Sequence, residues 1–168
     1  MKLFFVETGG IMFKFISHSE DETINLACKI ASKLNNGDLI VLSGNLGSGK
    51  TRFTQGILKN FGLENDISSP TFTIVNEHHS GNTNIYHFDV YRLQDVDEFY
   101  AIGGEEYLAN GICIIEWGEI IESILPNDYI KVVFERDTEN ENNRVLNFEI
   151  HGDRLLPVIK EVLESENT

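Results

Sequence analysis

The stretch Gly44–Thr51 reads Gly-Asn-Leu-Gly-Ser-Gly-Lys-Thr and directly follows the apolar run Leu39–Leu42. Its spacing is that of a phosphate-binding loop, placed between a buried strand and a helix that begins near Lys50. Three glycines keep side chains out of the way, so backbone N–H groups can converge on phosphates at the positive end of the helix. The stretch therefore predicts that the protein binds a nucleoside triphosphate.

Two side chains of this loop have expected roles of their own. Lys50 is expected to reach the outer phosphates as a flexible point charge, and the Thr51 hydroxyl to coordinate the Mg²⁺ that neutralises them. The predicted nucleotide contacts of the loop and the first helical turn are Gly44, Asn45, Leu46, Gly47, Ser48, Gly49, Lys50, Thr51 and Arg52.

The composition is that of a soluble folded protein with an acidic surface. The chain has 168 residues, close to the usual size of one domain, and 41% of them are hydrophobic. Its 27 acidic and 13 basic side chains give a net charge of -14, which repels phosphate backbones. We expect no tight direct binding to nucleic acid and a basic protein partner instead; the alternative is that the charge serves only solubility.

The sequence favours a cytoplasmic protein that contacts no membrane. The opening Met1–Val6 has an apolar core too short for a signal peptide, and no stretch approaches transmembrane length. Cys28 and Cys113 lie far apart inside apolar patterns, which predicts buried free thiols in a reducing compartment.

Hydrophobic periodicity and turn residues predict an α/β fold. Ser19–Glu22 fits a capping box that starts a helix, and Asn35–Gly37 is expected to end it. Further helices are predicted from Lys50 to a stop at Gly62, in pieces over 95–110, and at 155–163. Strands are predicted at 38–43, 84–93, 111–119, 126–134 and 144–150, and a hairpin connection is predicted at 80–83. Together they predict a P-loop NTPase-like three-layer fold, with a mixed, mainly parallel central sheet flanked by helices and with C-terminal antiparallel strands. The expected organisation is an N-terminal extension at 1–11, a single P-loop domain at 12–163 and a frayed tail at 164–168.

Two predicted strands end in carboxylates. Asp89 and Glu116 each stand where the carboxyl end of a strand would offer an acid to the metal or to the attacking water. Asp89 could instead be a surface residue or a helix cap. The adjoining Trp117 is either a core residue or a contact of the site, and His87 is interpreted as a packed strand residue.

The segment Ser68–Val75 is a candidate switch. Pro70 forbids continuous helix, and hydroxyl side chains on both sides of it, including Thr71, lie in an expected loop that leads into a strand. Such a segment can order around a terminal phosphate and loosen after hydrolysis. The alternative is a rigid turn that does not contact nucleotide.

The ordered set of motifs resembles the bacterial TsaE (YjeE) family. It consists of the loop, Ser69–Thr73, the run His87–Leu93 that reads His-Phe-Asp-Val-Tyr-Arg-Leu, and Ile115–Trp117, and the resemblance covers residues 13 to about 160. The resemblance implies a small Mg²⁺-dependent ATPase that supports formation of threonylcarbamoyladenosine in tRNA. It also implies docking onto a TsaB-TsaD heterodimer, which the ATP cycle would reset between turnovers.

The same resemblance implies roles for individual residues. Thr51 and Glu116 look like the magnesium-associated residues, Lys50 like the phosphate lysine, and Asp89 like the acid that positions or activates water. Thr71 would lie in the switch, Trp117 would flank the site, and Ser19 would approach the adenosine end. The chain departs from the family at Asn45, where the family loop usually has Asp; because the loop works through its backbone, we expect ATP binding to survive.

The mechanism that we expect is in-line attack of water on the terminal phosphate of ATP, with Lys50, Asp89 and Glu116 as the catalytic residues and Thr51, Glu116 and Asp89 as the metal-associated ones. Arg52 and Arg92 are candidates for a catalytic arginine, or a partner supplies one, so weak hydrolysis by the protein alone is expected. The alternatives are a small-molecule kinase and a nucleotide-gated interaction module with incidental hydrolysis. A GTPase is disfavoured because the guanine-reading Asn-Lys-x-Asp motif is absent.

Overall fold

The computed structural model describes residues 3–5, 10–67 and 74–166. Its strands are β1 (Leu3–Phe5), β2 (Ile11–Ser17), β3 (Leu39–Ser43), β4 (Val75–Ser80), β5 (Thr83–Asp89), β6 (Ile112–Glu116), β7 (Tyr129–Arg136) and β8 (Arg144–His151). Its helices are α1 (Glu20–Ala31), α2 (Lys50–Asn60), α3 (Val96–Ala101), α4 (Gly104–Asn110) and α5 (Leu156–Glu166), with 3₁₀ turns at Glu64–Asp66 and Gly118–Ile124.

The strands form one mixed sheet in the order β1-β2-β8-β7-β3-β6-β5-β4. The four central strands, β7, β3, β6 and β5, are parallel, and both flanks are antiparallel. Strand β2 was not predicted from the sequence. It pairs with β8 because Phe13 and Phe15 point into the core while Lys14 and Ile16 are exposed, the alternation of a half-buried strand. The predicted α/β fold with a mixed sheet and C-terminal antiparallel strands is confirmed.

Helices cover both faces of the sheet, which gives the predicted three layers. Buried side chains of α1, α2 and α5 pack on one face against residues such as Ile40, Leu42 and Ile114. On the other face, the α3–α4 region and the turn at 118–124 pack against a cluster that includes Val41 and Ile115. Strand β3 is therefore buried on both sides, as its continuous apolar run indicates.

Helix α1 begins as predicted but ends earlier. The Ser19 hydroxyl caps it by accepting a hydrogen bond from the Glu22 backbone N–H at 3.1 Å. The expected end was Asn35–Gly37, whereas the helix ends at Ala31 because the next residues tighten into bonds between residues three apart, such as that from the Leu34 N–H to the Ala31 carbonyl.

The backbones of helices α2 and α1 are in direct contact. A Cβ atom added at Gly56 would lie 2.3 Å from the Ile24 carbonyl oxygen and 2.7 Å from the Ala27 Cβ. Only glycine allows the two backbones to approach this closely. Because α2 starts at Lys50, this contact also fixes the distance between the phosphate loop and α1.

The remaining predicted elements are present with small shifts in their ends. Gly81, at φ +58, turns the hairpin between β4 and β5, and Gly103 separates α3 from α4. Helix α5 continues to Glu166, whereas the periodicity predicted an end at Leu163. Cys113 is buried as predicted, but Cys28 is half-buried because it lies at the edge of the α1 apolar face. Among the described helices, none is long and apolar enough to cross a membrane.

The limits of the predicted domain stay a prediction. Strand β1, at Leu3–Phe5 within the predicted extension, pairs with the start of β2.

Candidate active site

The phosphate loop that follows β3 has a backbone conformation that depends on its glycines. Gly44, Gly47 and Gly49 have φ values of +147, +75 and +114, in the range that side-chain-bearing residues rarely adopt. At Gly44 a Cβ atom would lie 2.8 Å from both the Phe134 carbonyl oxygen and the Ser48 hydroxyl, so the loop seats directly on β7. Gly49 starts α2 without a side-chain cap, which leaves the first N–H groups of the helix turned toward the loop.

Ser48 lies deep in this loop. Its side chain is 3% exposed, and within the described chain its hydroxyl has no hydrogen-bond partner. A buried hydroxyl without a partner costs free energy unless a ligand or water satisfies it. The glycine cradle and this unpaired hydroxyl fit a bound phosphate group.

Lys50 is folded back over the loop. Its ammonium donates hydrogen bonds to the Gly44 carbonyl and, at 3.2 Å, to the Asn45 carbonyl. It also lies 5.0 Å from the centre of the Trp117 ring, a cation–π distance. Burial lowers the pKa of Lys50, and the charges of Glu116 and Asp89 oppose this shift. The ammonium is thus held at the centre of the site with two carboxylates facing it.

The two predicted carboxylates are neighbours across the parallel strands β5 and β6. Asp89 and Glu116 are register partners at the carboxyl ends of these strands, beside the loop. One Asp89 oxygen accepts a hydrogen bond from the Tyr91 N–H at 3.0 Å. Glu116 is 9% exposed, and its Oε2 lies 3.4 Å from Nε2 of His87. Both acids can therefore serve the same site, one partly solvated and one largely buried.

A cleft of about 360 Å³ connects these groups. It is lined by Glu20, Leu46, Gly47, Ser48, Gly49, Lys50, Thr51, Arg52, Asp89, Glu116 and Trp117. The predicted loop residues Gly44 and Asn45 do not line the cleft, but their carbonyls accept the hydrogen bonds of Lys50. Thr71 and the rest of the predicted switch, residues 68–73, lie outside the described residues.

The oxygen ligands of the cleft fit a magnesium ion that is bound mainly through phosphate and water. Thr51, Asp89 and Glu116 line one cleft and offer the hydroxyl and carboxylate oxygens that Mg²⁺ prefers. Across residues 10–67 and 74–166, no three His, Cys, Asp or Glu side chains cluster closely enough to hold a metal by themselves. Mg²⁺ at a nucleotide site uses one or two protein oxygens and keeps its other positions for substrate and water.

Trp117 has an unusual backbone conformation. Its φ is +63, and it is the one residue other than glycine with a positive φ in the described chain. Its N–H donates to the Leu42 carbonyl at 3.3 Å, which ties the end of β6 to β3. The half-buried ring contacts Tyr91 at 5.4 Å between centroids and covers Lys50. The ring lines the cleft and also packs against the core cluster that includes Val41 and Ile115, so a contact with ligand stays a prediction.

Ser19 lies beside the main cleft, whereas Arg52 lines the cleft and also reaches the space beside it. They share a smaller cavity of about 60 Å³ with Glu20, Thr23, Gly47, Gly49, Asn142 and Arg144. The Ser19 hydroxyl already accepts the Glu22 N–H, and Nε of Arg52 pairs with Glu20 at 3.0 Å. Ser19 is thus brought next to the phosphate loop, in a cavity that it shares with Gly47 and Gly49.

Several lining residues carry no signal in the sequence. Asn142 reaches the small cavity from the β7–β8 connection and Arg144 from the start of β8, about 95 residues beyond the loop in the chain. Arg136, at the end of β7, has a guanidinium nitrogen 3.7 Å from where a Gly47 Cβ would lie. The predicted arginine candidate Arg92 does not line the cleft. The positions of Arg136 and Arg144 near the loop depend on how distant strands pair in the sheet, so no local motif could have indicated them.

Comparison with known proteins supports the resemblance stated from the motifs. The profile of the family described as "Threonylcarbamoyl adenosine biosynthesis protein TsaE" matches residues 17–146. The chain is 35% identical over 155 residues to the tRNA threonylcarbamoyladenosine biosynthesis protein TsaE of Bacillus subtilis, covering 92% of this chain and 96% of that one. It is 42% identical over 127 residues to the protein of the same name from Rickettsia felis, covering 75% and 74%.

A solved structure agrees with this result. The crystal structure of Bacillus subtilis YdiB matches with a TM-score of 0.73 and 30% sequence identity, covering 94% of this chain and 98% of the other. The similarity therefore extends over the sheet, the phosphate loop and both carboxylate strands. The chain belongs to the TsaE family of threonylcarbamoyl adenosine biosynthesis proteins.

Proposed function

We propose that the protein is a Mg²⁺-dependent ATPase that supports threonylcarbamoyladenosine modification of tRNA in the cytoplasm. The observation that carries this proposal is one cleft in which a glycine cradle, Lys50 and the carboxylates Asp89 and Glu116 converge. These are the parts that phosphoryl transfer needs: donors for the phosphates, a positive charge, and acids for metal and water.

The nucleotide would lie across the loop. The N–H groups at the start of α2 and the Ser48 hydroxyl would bind phosphate oxygens, and Lys50 would exchange its bonds to the loop carbonyls for bonds to the outer phosphates. The adenosine end would extend toward the cavity beside Ser19 and Arg144. The half-buried Trp117 would cover the phosphates from the opposite side.

Thr51 and Glu116 would hold the magnesium ion, with Asp89 directly beside them. When bound, Mg²⁺ neutralises phosphate charge and polarises the group being transferred. Because Glu116 is largely buried, it stays fixed and desolvated, whereas Asp89 is partly exposed and can bind water. This division assigns the metal to Glu116 and the water to Asp89.

Hydrolysis then proceeds by in-line attack of a water oxygen on the γ-phosphorus. The bond from that phosphorus to the bridging oxygen breaks, ADP leaves with the electron pair, and the proton of the water passes through the Asp89 carboxylate to solvent. Lys50 stabilises the charge that develops on the phosphate oxygens. Arg52 is paired with Glu20, so we expect slow hydrolysis until a partner acts on the site.

Docking onto a TsaB-TsaD heterodimer is part of the proposal. Leu46, at the tip of the loop, is 93% exposed, and Tyr91, beside Trp117, is 68% exposed. Both flank the mouth of the cleft, where a partner that closes over the nucleotide would bury them. The net charge of -14 favours a basic partner surface.

The test compares the wild-type protein with Lys50→Met, alone and with the heterodimer. We expect ATP affinity to fall by about 10- to 150-fold, because a charge-assisted hydrogen bond contributes about 1.5–3 kcal/mol. Phosphate release and tRNA threonylcarbamoyladenosine, measured by nucleoside mass spectrometry after depletion and rescue, should fall with it. Unchanged affinity and turnover in Lys50→Met would contradict the proposal.

The melting temperature controls for misfolding in this variant. Burial, the main cause of the lowered Lys50 pKa, disfavours the ammonium, whereas its bonds to the Gly44 and Asn45 carbonyls favour it. Because methionine keeps the apolar stem of the lysine, Lys50→Met should melt close to the wild-type temperature. A phosphorylated small molecule in place of free phosphate would instead indicate a kinase. If Asp89→Asn rescues modification fully, nucleotide binding alone is what the pathway needs.

A further inference from the structure

His87 is a buried imidazole behind the candidate metal ligand. It lies on β5, two residues before Asp89 and therefore on the same face of the sheet. Its side chain is 4% exposed, and within the described chain neither ring nitrogen has a hydrogen-bond partner. The nearest acidic group is Glu116, whose Oε2 lies 3.4 Å from the His87 Nε2.

An imidazole in this position is costly for the fold. A buried polar group without a hydrogen-bond partner destabilises a protein, and an aliphatic side chain would avoid that cost. The register neighbours of His87 are Ile114 on β6 and Asn76 on β4, and Ile85 lies two residues earlier on the same face. His78 on β4 is also near, since burial and then the charge of His87 lower its pKa. The acid beside the ring is Glu116, at 3.4 Å, and a leucine would match the isoleucines around it.

The geometry is that of a carboxylate with an imidazole behind it. The 3.4 Å separation is about 0.5 Å longer than a normal N–H···O bond, so a small rotation of the carboxylate closes it. An N–H that holds one carboxylate oxygen leaves the other oxygen for the cleft, which Glu116 lines. Outer groups of this kind commonly fix the orientation of metal ligands.

We propose that His87 is a positioning residue that orients the Glu116 carboxylate toward the magnesium ion of the bound nucleotide. This inference rests on the proposed function, because it concerns the metal of that site. His87 does not touch nucleotide in this proposal and acts only through Glu116. Its role is to donate a hydrogen bond to one oxygen of the buried Glu116 carboxylate, so that no solvent hydrogen bond is needed to hold that oxygen.

The test uses the variants His87→Leu and His87→Gln in the full chain. Leucine fills the space without a donor, whereas glutamine returns an N–H close to the position of the imidazole Nε2. The affinity for a non-hydrolysable ATP analogue is measured by calorimetry with Mg²⁺ and again with EDTA. The ratio of the two affinities is the magnesium enhancement, and melting temperatures are recorded in parallel.

We expect His87→Leu to reduce the magnesium enhancement by about 10- to 100-fold, the usual cost of losing an outer-shell partner. Its affinity in EDTA and its melting temperature should match or exceed those of the wild type, because a buried unpaired group is removed. His87→Gln should recover most of the enhancement. Ile85→Val, a cavity change on the same strand face, should lower the melting temperature and leave the enhancement unchanged.

The outcomes separate this inference from the proposed function. Full enhancement in His87→Leu overturns the positioning role while the ATPase proposal stands. Equal losses in EDTA and in Mg²⁺, or a glutamine variant no better than leucine, also overturn it, since His87 would then be structural. If the wild type binds the analogue equally well with and without Mg²⁺, the metal role in the proposed function fails first.

Discussion

Replacing Gly56 by alanine tests whether the contact between α1 and α2 positions the phosphate loop. The added methyl would lie 2.3 Å from the Ile24 carbonyl oxygen, whereas ordinary contact begins near 3.4 Å. The obstacle is backbone of α1, which cannot rotate away as a flexible side chain could. Helix α2 must therefore retreat by about 1 Å, the difference between these distances.

The size of the effect follows from two opposing terms. Overpacking of this kind costs about 1–3 kcal/mol, and the rigid carbonyl places Gly56→Ala in the upper half of that range. Alanine regains about 1 kcal/mol through its better helix propensity. The net loss is about 1–2 kcal/mol, which lowers the melting temperature of a chain of this size by about 2–8 °C.

The displacement should also reach the site, because Lys50 and Thr51 form the first turn of the same helix. A shift of about 1 Å in positioned groups can cost up to 100-fold in rate. Calorimetry of Mg²⁺-ATP binding and phosphate release should both fall in Gly56→Ala.

A matched variant separates displacement from destabilisation. Gly62 follows α2 and has a φ of +73, so Gly62→Ala strains the backbone by about 1–2 kcal/mol. No atom lies within 4 Å of the added Cβ, so this variant does not displace the helix. It should lower the melting temperature and keep nucleotide affinity. An unchanged or raised melting temperature in Gly56→Ala would refute the backbone contact. Equal affinities in the two glycine variants would refute its link to the loop.

Two further predictions concern exposed and buried side chains. Leu46→Ser should change the affinity for Mg²⁺-ATP by no more than about twofold, because the loop binds phosphate through its backbone. The same change should weaken co-sedimentation with the TsaB-TsaD heterodimer, because it removes an exposed apolar side chain. Unaltered co-sedimentation would show that the heterodimer docks on another surface. Burial raises the pKa of the Cys113 thiol from 9.0 to about 12, so a thiol reagent should label half-buried Cys28 first and Cys113 only on unfolding. Because the unfolded thiol loses its proton at lower pH than the folded one, Cys113 should also make stability fall as pH rises above about 9. A fall in stability above about pH 9 that is as steep in Cys113→Ala as in the wild type would contradict this assignment.

The parts of the fold that follow local rules could be predicted from the sequence. The glycine spacing at Gly44–Thr51 identified the loop, since each of its three glycines has the positive φ that the motif needs. Continuous apolar runs indicated β3 and β6, which are buried on both faces. The acids at the ends of β5 and β6 were predicted to meet because parallel strands deliver their carboxyl ends to one edge of a sheet.

Features set by register between distant segments could not be predicted. The proximity of His87 to Glu116 depends on how β5 pairs with β6, and the position of Arg136 depends on how β7 lies beside β3. The positive φ of Trp117 has no local signal either. It comes from the bond of its N–H to Leu42 as the chain turns out of β6, and such strain at a site is visible only in three dimensions.

The charges in the cleft argue for the species that it binds. Arg52 is paired with Glu20, and within the described part of the cleft Lys50 faces both Asp89 and Glu116, so these three side chains together carry a net negative charge. Free ATP is itself anionic, whereas Mg²⁺ would offset the charge of the two carboxylates and of the phosphates. We therefore expect the proposed site to bind the magnesium complex in preference to free ATP. In the proposed function, Glu116 and the His87 behind it would thus act in binding before any role in hydrolysis.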